Sequence, residues 1–121
     1  MSIPLFDCHC DTAARALLTG QGLRANSLHL DLNRLRSYSP AAQVFAVCTA
    51  TLDEPRAKAA KIIRYFHEQI KMNSDIVKLC LNSHDLHSAI AEGKIAAILS
   101  VEGAEQLGDI AEAYELGVRA V

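Results

Sequence analysis

The sequence predicts an α/β fold in which parallel strands alternate with helices. Short apolar runs rich in valine, isoleucine and alanine recur along the chain, and each has the length of one strand. Segments with helical periodicity or helix-capping residues lie between these runs, joined by short connections. Alternation of this kind is typical of a parallel sheet with helices packed outside it.

The first elements surround a long polar connection. Residues 3–11 begin with apolar side chains and end with polar ones, which predicts a buried strand with a polar tip. Thr12 can serve as the N-cap of a short helix over residues 13–18. The connection that follows contains a helical turn near residues 32–36. Residues 44–48 are apolar throughout and predict a strand that is buried on both faces.

The strongest helix signal begins after residue 52. Asp53 can serve as N-cap, and Pro55 suits the first turn, where its missing N–H costs nothing. Apolar side chains then recur at helical spacing and predict one buried face. That face consists of Ala59, Ile62, Ile63, Phe66 and Ile70.

A strand, a helix and a second strand are predicted next. Residues 76–81 form the first apolar run. Ser83 can cap a short helix that continues to Glu92, and Gly93 suits the left-handed residue that commonly follows a helix. Residues 94–101 predict another buried strand.

The last predicted elements are a helix and the start of a strand. Leu107, Ile110 and Tyr114 mark the helix, which Gly117 ends. Residues 118–121 are the beginning of a further strand.

The composition argues against several classes of function. The 121 residues include 12 Lys and Arg against 14 Asp and Glu, a net charge of −2, so we expect no nucleic-acid partner. The apolar runs are far shorter than the roughly 20 residues that cross a bilayer, so we expect no membrane span. The first residues lack the cationic start of a signal peptide, which predicts a cytoplasmic protein with reduced thiols.

Three side chains form a candidate metal site. His9 and Asp11 are two residues apart, and side chains at that spacing in a strand point to one face. Glu102 directly follows the strand predicted over residues 94–101. Because parallel strands end at the same side of a sheet, these three side chains can converge and offer an imidazole and two carboxylates to a divalent metal ion. The alternative for Glu102 is an exposed acid at the start of a loop.

Five ordered blocks of sequence carry a family resemblance. Residues 6–11 read Phe-Asp-Cys-His-Cys-Asp and resemble the Asp-Gly-His-Asn-Asp opening of the membrane (renal) dipeptidase family of zinc metallopeptidases, peptidase family M19. Four later blocks are similar to segments of that family in the same order, namely residues 29–35, residues 43–45, residues 92–96 followed by 100–103, and residues 116–119. Cys8 and Cys10 depart from the family's usual Gly and Asn, and Ala104 stands where a second Gly is common. None of these departures removes a ligand.

The resemblance implies the N-terminal portion of a (β/α)₈ barrel of TIM type. Residues 1–121 would form a single, incomplete barrel domain, truncated after the strand that begins near residue 118. The resemblance also implies two zinc ions, with His9 and Asp11 on one ion and Glu102 bridging both. A water or hydroxide between the metals would hydrolyse a dipeptide. The family's other ligands and its catalytic Asp lie further downstream, so we expect this chain alone to be inactive.

Two other functions remain open. The chain could be a non-catalytic α/β fragment, or a half-barrel that forms a homo-oligomer through its open sheet edge. Cys8 and Cys10, which strand alternation places together on the face opposite His9, could instead form a thiolate metal site. His84 and His87 have a chelating spacing, but surface histidines near the start of a helix are common and this is the expected interpretation. His29 is expected to be structural, near Asp31.

Overall fold

The computed structural model describes residues 2–49 and 53–121. Strands and helices alternate along these two ranges, with a single 3-10 turn (Ala104–Gln106) between β4 and α5. In chain order the elements are β1 (Leu5–Cys10), α1 (Thr12–Thr19), α2 (Leu32–Leu35), β2 (Ala41–Val47), α3 (Pro55–Met72), β3 (Val77–Leu79), α4 (Ser83–Ala91), β4 (Ile95–Val101), α5 (Ile110–Glu115) and β5 (Val118–Ala120).

The strands form one parallel sheet in the order β1-β2-β4-β3, and β5 also pairs with β4. β2 and β4 pair along almost their whole length. β3 therefore lies beside the first half of the other edge of β4, and β5 lies beside the second half. The predicted α/β class with parallel strands is confirmed, although β3 and β5 share one edge instead of following one another across the sheet.

Helices cover both faces of the sheet. Side chains at odd-numbered positions of β2 and β4, such as Phe45 and Leu99, join the larger core cluster with α1 and α3. On the opposite face, Ala42 and Ala96 pack with Ala89 of α4. Right-handed crossovers account for this division, because α3 leads from β2 to β3 in one direction across the sheet and α4 leads from β3 back to β4 in the other.

The predicted buried face of α3 is confirmed. All five of its apolar positions are buried, and the Phe66 ring lies 5.4 Å from the ring of Phe45 on β2, centroid to centroid. The N-cap prediction is wrong, because Pro55 occupies the first helical position and Glu54 precedes it as N-cap. The Asp53 carboxylate instead accepts a hydrogen bond from Lys58 Nζ at 3.3 Å.

Two other caps lie one residue before the predicted position. α1 begins at Thr12, with Asp11 as its N-cap. α4 begins at Ser83, and the side chain of Asn82 accepts a hydrogen bond from the backbone N–H of Asp85 at 2.9 Å. Ser, Thr, Asn and Asp are all good caps, so the sequence alone does not choose between neighbours of these types.

The last helix is shorter and less buried than its periodicity predicts. α5 begins at Ile110, which is exposed, as is Tyr114, while Leu107 lies outside the helix and packs against the core. Ala113 is the residue that α5 buries. Across residues 2–49 and 53–121, none of the helices combines the length and the hydropathy needed to cross a membrane.

Truncation of Phe66 tests the packing of α3 on the sheet. Because Phe66 is fully buried, we expect Phe66→Ala to lower the free energy of unfolding by about 3–5 kcal/mol in urea titrations. Met72 on the same helix is 74% exposed, and Met72→Ala should change that free energy by less than about 0.5 kcal/mol. Equal effects of the two substitutions would contradict this packing.

Candidate metal centre

β1 contains an extra residue just before the candidate site. Asp7 pairs with Gln43 and Cys10 pairs with Phe45, so three steps along β1 match two steps along β2. Such a bulge interrupts the alternation of side chains. Cys10 therefore lies on the face of Phe45 and packs against the core, whereas Cys8 is exposed on the other face. The prediction that both thiols share one face is wrong.

The turn after β1 brings Asp11 to His9. Asp11 lies beyond the end of the strand, at the N-cap of α1, but its side chain accepts no hydrogen bond from the helix. Asp11 Oδ1 instead lies 3.2 Å from His9 Nε2. The side chains of His9 and Asp11 therefore lie close together as predicted. The cause is the turn after β1 and not the alternation of side chains along the strand.

Glu102 reaches the same histidine from the end of β4. Its backbone N–H donates to the carbonyl of Val47 at 2.9 Å, which continues the pairing of β2 with β4 by one residue. Glu102 Oε2 lies 3.4 Å from His9 Nε2. The chain then turns at Gly103, whose φ of +100° favours glycine, and a Cβ there would lie 2.5 Å from the carboxylate of Glu105.

The three side chains have the spacing of ligands on one metal ion. One ligand atom from each of His9, Asp11 and Glu102 lies within 4.8 Å of the other two. Two ligands on a tetrahedral zinc, each about 2.0–2.1 Å from the metal, lie about 3.3 Å apart, which is close to the two measured separations. The residues therefore fit zinc in donor type and in spacing. Their role as ligands remains a prediction.

Other predicted metal ligands do not join the site. In the part of the chain that the structure describes, the cluster of His9, Asp11 and Glu102 is the one group of three or more histidine, cysteine or acidic side chains that are close enough to share an ion. His84 and His87 lie at the start of α4 and belong to no such group. Burial raises the pKa of the Cys10 thiol to about 11, which keeps it protonated at neutral pH and disfavours a thiolate site.

A cavity of about 580 Å³ opens beside two of the candidate ligands. Its lining includes His9, Asp11, Arg15 of α1 and residues 27–30. The volume is within the range of small-molecule sites. Nothing in the spacing of the sequence marks Arg15, because its contribution depends on where α1 begins.

An ion pair between the exposed Arg34 and the buried Asp31 stabilises the segment of residues 27–30. Arg34 Nε donates to Asp31 Oδ2 at 2.8 Å, and the same guanidinium donates to the carbonyls of Leu28 and His29. Burial of the Asp31 carboxylate opposes its ionisation, but hydrogen bonds from Arg34 and Asn26 outweigh burial and lower its pKa. His29 contributes its carbonyl to this network and is also one of the residues that line the cavity.

The family comparison agrees with the geometry. A sequence model described as membrane dipeptidase (peptidase family M19) matches residues 1–121. The chain belongs to the membrane dipeptidase family. The predicted family is thereby confirmed, and this family consists of metallopeptidases.

Solved structures of family M19 share the fold. The dipeptidase AC, a metallopeptidase, is similar with a TM-score of 0.82 and 24% identity, over 98% of this chain and 42% of its own length. A metallopeptidase from Rhodobacter sphaeroides, liganded with a phosphinate mimic of the dipeptide L-Ala-D-Ala, is similar with a TM-score of 0.80 and 23% identity. The match covers 98% of this chain and 44% of that structure's length. The probable dipeptidase PvdM from Pseudomonas aeruginosa is similar with a TM-score of 0.75 and 21% identity. The match covers 97% of this chain and 33% of that structure's length.

These similarities confirm the predicted fold as part of the TIM barrel of this family. The chain spans less than half the length of each of the three structures.

Thiol alkylation tests the bulge in β1. With a pKa of about 11, the Cys10 thiol is about one part in a thousand thiolate at pH 8, so we expect iodoacetamide to modify the exposed Cys8 well before Cys10. Peptide mass spectrometry over a time course measures both rates. In urea the two thiols should react alike, and equal rates in the folded chain would contradict the packing of Cys10.

Proposed function

We propose that the chain supplies the first metal ligands of a zinc dipeptidase. In this proposal His9 and Asp11 bind one zinc ion, and Glu102 bridges this ion and a second one. The convergence of these three side chains at the ends of β1 and β4 is the observation that carries the proposal. Membership of a metallopeptidase family supports it.

The cluster is suited to a divalent cation in charge and accessibility. Two carboxylates bring two negative charges to the imidazole nitrogen of His9, and all three side chains are about half exposed, so water and substrate can reach them. When bound, zinc supplies the activated water and the polarised carbonyl that peptide hydrolysis requires. The protein's contribution is to hold the three ligands in place from two separate strands.

A dipeptide is the substrate that the cavity supports. Asp7 and Arg15 add one anionic and one cationic side chain to its lining, and these are the charges that complement the free amino and carboxyl ends of a dipeptide. The Rhodobacter sphaeroides relative, which binds a mimic of L-Ala-D-Ala, makes this dipeptide the natural first substrate to test.

Replacement of His9 tests the ligand assignment. We expect His9→Ala to weaken zinc binding to the chain by more than about 100-fold in calorimetric titration, since even outer-shell substitutions cost about 10–100-fold. The double variant Cys8→Ser, Cys10→Ser is the control and should keep its zinc affinity. Loss of binding in the cysteine variant alone would favour the thiolate site instead.

The 121 residues alone are proposed to be poor catalysts. Three ligands cannot complete the coordination of two zinc ions, which usually take about four ligands each. Zinc-dependent hydrolysis of L-Ala-D-Ala by the purified chain, measured by amino-acid release, would overturn this proposal. The same activity surviving in His9→Ala would also overturn the ligand assignment.

We also propose that copies of the isolated chain associate with one another. β1 is at an edge of the described sheet, and Phe6 on this strand is 59% exposed. Unpaired edge strands with apolar side chains promote pairing with another copy. We expect sedimentation to show a dimer or larger species that Phe6→Lys shifts toward monomer, whereas an unchanged distribution would contradict this use of the edge.

A further inference from the structure

A buried glutamine lies directly behind the candidate ligand Glu102. Gln106 ends the 3-10 turn that follows Gly103, and it is only 5% exposed. Its Oε1 accepts a hydrogen bond from the backbone N–H of Thr49 at 3.1 Å, and its Nε2 donates to the backbone carbonyl of Glu102. One amide group thus connects the chain after β2 with the chain after β4.

Hydrogen bonds fix both backbone polar groups of Glu102, its N–H and its carbonyl. Its N–H is bonded to the carbonyl of Val47, and its carbonyl is bonded to the side chain of Gln106. The ladder of β2 and β4 supplies the first bond, but no strand pairs with β4 at this level to supply the second among the residues described. The Gln106 side chain therefore takes the place of a neighbouring strand.

A second buried glutamine, Gln43, does not connect two elements in this way. Gln43 on β2 is fully buried, but among the residues that the structure describes its Nε2 reaches only the adjacent carbonyl of Val44, and its Oε1 has no hydrogen-bond partner. Gln43 joins no two elements. It therefore provides a matched comparison for the effect of removing a buried amide from this fold.

We propose that Gln106 is a positioning residue for the candidate metal centre. It holds the backbone of Glu102 so that the carboxylate lies toward His9 and can bind metal there. This inference rests on the proposed function, because it requires Glu102 to be a ligand. Gln106 itself is behind the ligand and contacts neither the ion nor the substrate.

The first experiment measures metal binding by the complete 121-residue chain. Zinc affinity is obtained by calorimetry and ligand geometry from the visible absorption spectrum of the Co²⁺-loaded chain. We expect Gln106→Met, which keeps the length but removes both hydrogen bonds, to weaken zinc binding about 10–100-fold and to change the Co²⁺ spectrum. Gln43→Met should leave both close to wild type. If Gln106→Met binds zinc with wild-type affinity, the inference fails.

A double-mutant cycle separates positioning from general stability. In a Glu102→Gln background, Gln106→Met should no longer change zinc affinity, because the ligand it positions has been replaced. An equal loss in both backgrounds would mean that Gln106 acts through overall stability, which would overturn the proposal. Should Gln106→Met fail to fold, Gln106→Glu replaces it, since it keeps an acceptor for Thr49 and loses the donor to Glu102.

The controls distinguish the two levels of proposal. If the wild-type chain binds neither Zn²⁺ nor Co²⁺, the proposed function fails and this inference fails with it. If the wild type binds zinc, His9→Ala abolishes binding and Gln106→Met has no effect, only the role of Gln106 is contradicted.

Discussion

β2 and β4 pair in parallel from Ala42 opposite Ala96 to Val47 opposite Val101, and this pairing determines where the candidate ligands lie. Both strands are buried almost throughout, so their register is set by core packing on both faces. A slip of one residue would move Phe45 and Leu99 out of the main core. It would also move Glu102 away from the end of β2.

The spacing of strands explains why the ligands come from β1 and β4. Neighbouring strands are about 4.8 Å apart, so β1 and β4 are separated by about 10 Å across β2. The side chains of His9 and Glu102 span this distance, since Glu102 Oε2 lies 3.4 Å from His9 Nε2. β2 lies between the two strands and supplies none of the three clustered side chains.

Sequence patterns were sufficient for the elements that rely on burial and for the three clustered side chains. The five buried positions of α3 follow from helical spacing, and Glu102 follows from its place after an apolar strand. The bulge between Asp7 and Cys10 could not be foreseen, because it depends on pairing with β2. The opposite placement of α4 likewise depends on the order of strands, which no local pattern encodes.

Gln106 illustrates the same limit at the site. A glutamine in a short polar segment carries no sequence signal, and its role arises only when the 3-10 turn brings it against Thr49 and Glu102. The candidate ligand side chains are about half exposed, so packing does little to restrain them. Their positions must therefore be fixed mainly through the backbone, by the strand ladder on one side of Glu102 and by a buried amide on the other. For this reason the proposed positioning residue, Gln106, is found behind the candidate ligands, inside the fold, rather than beside their side chains.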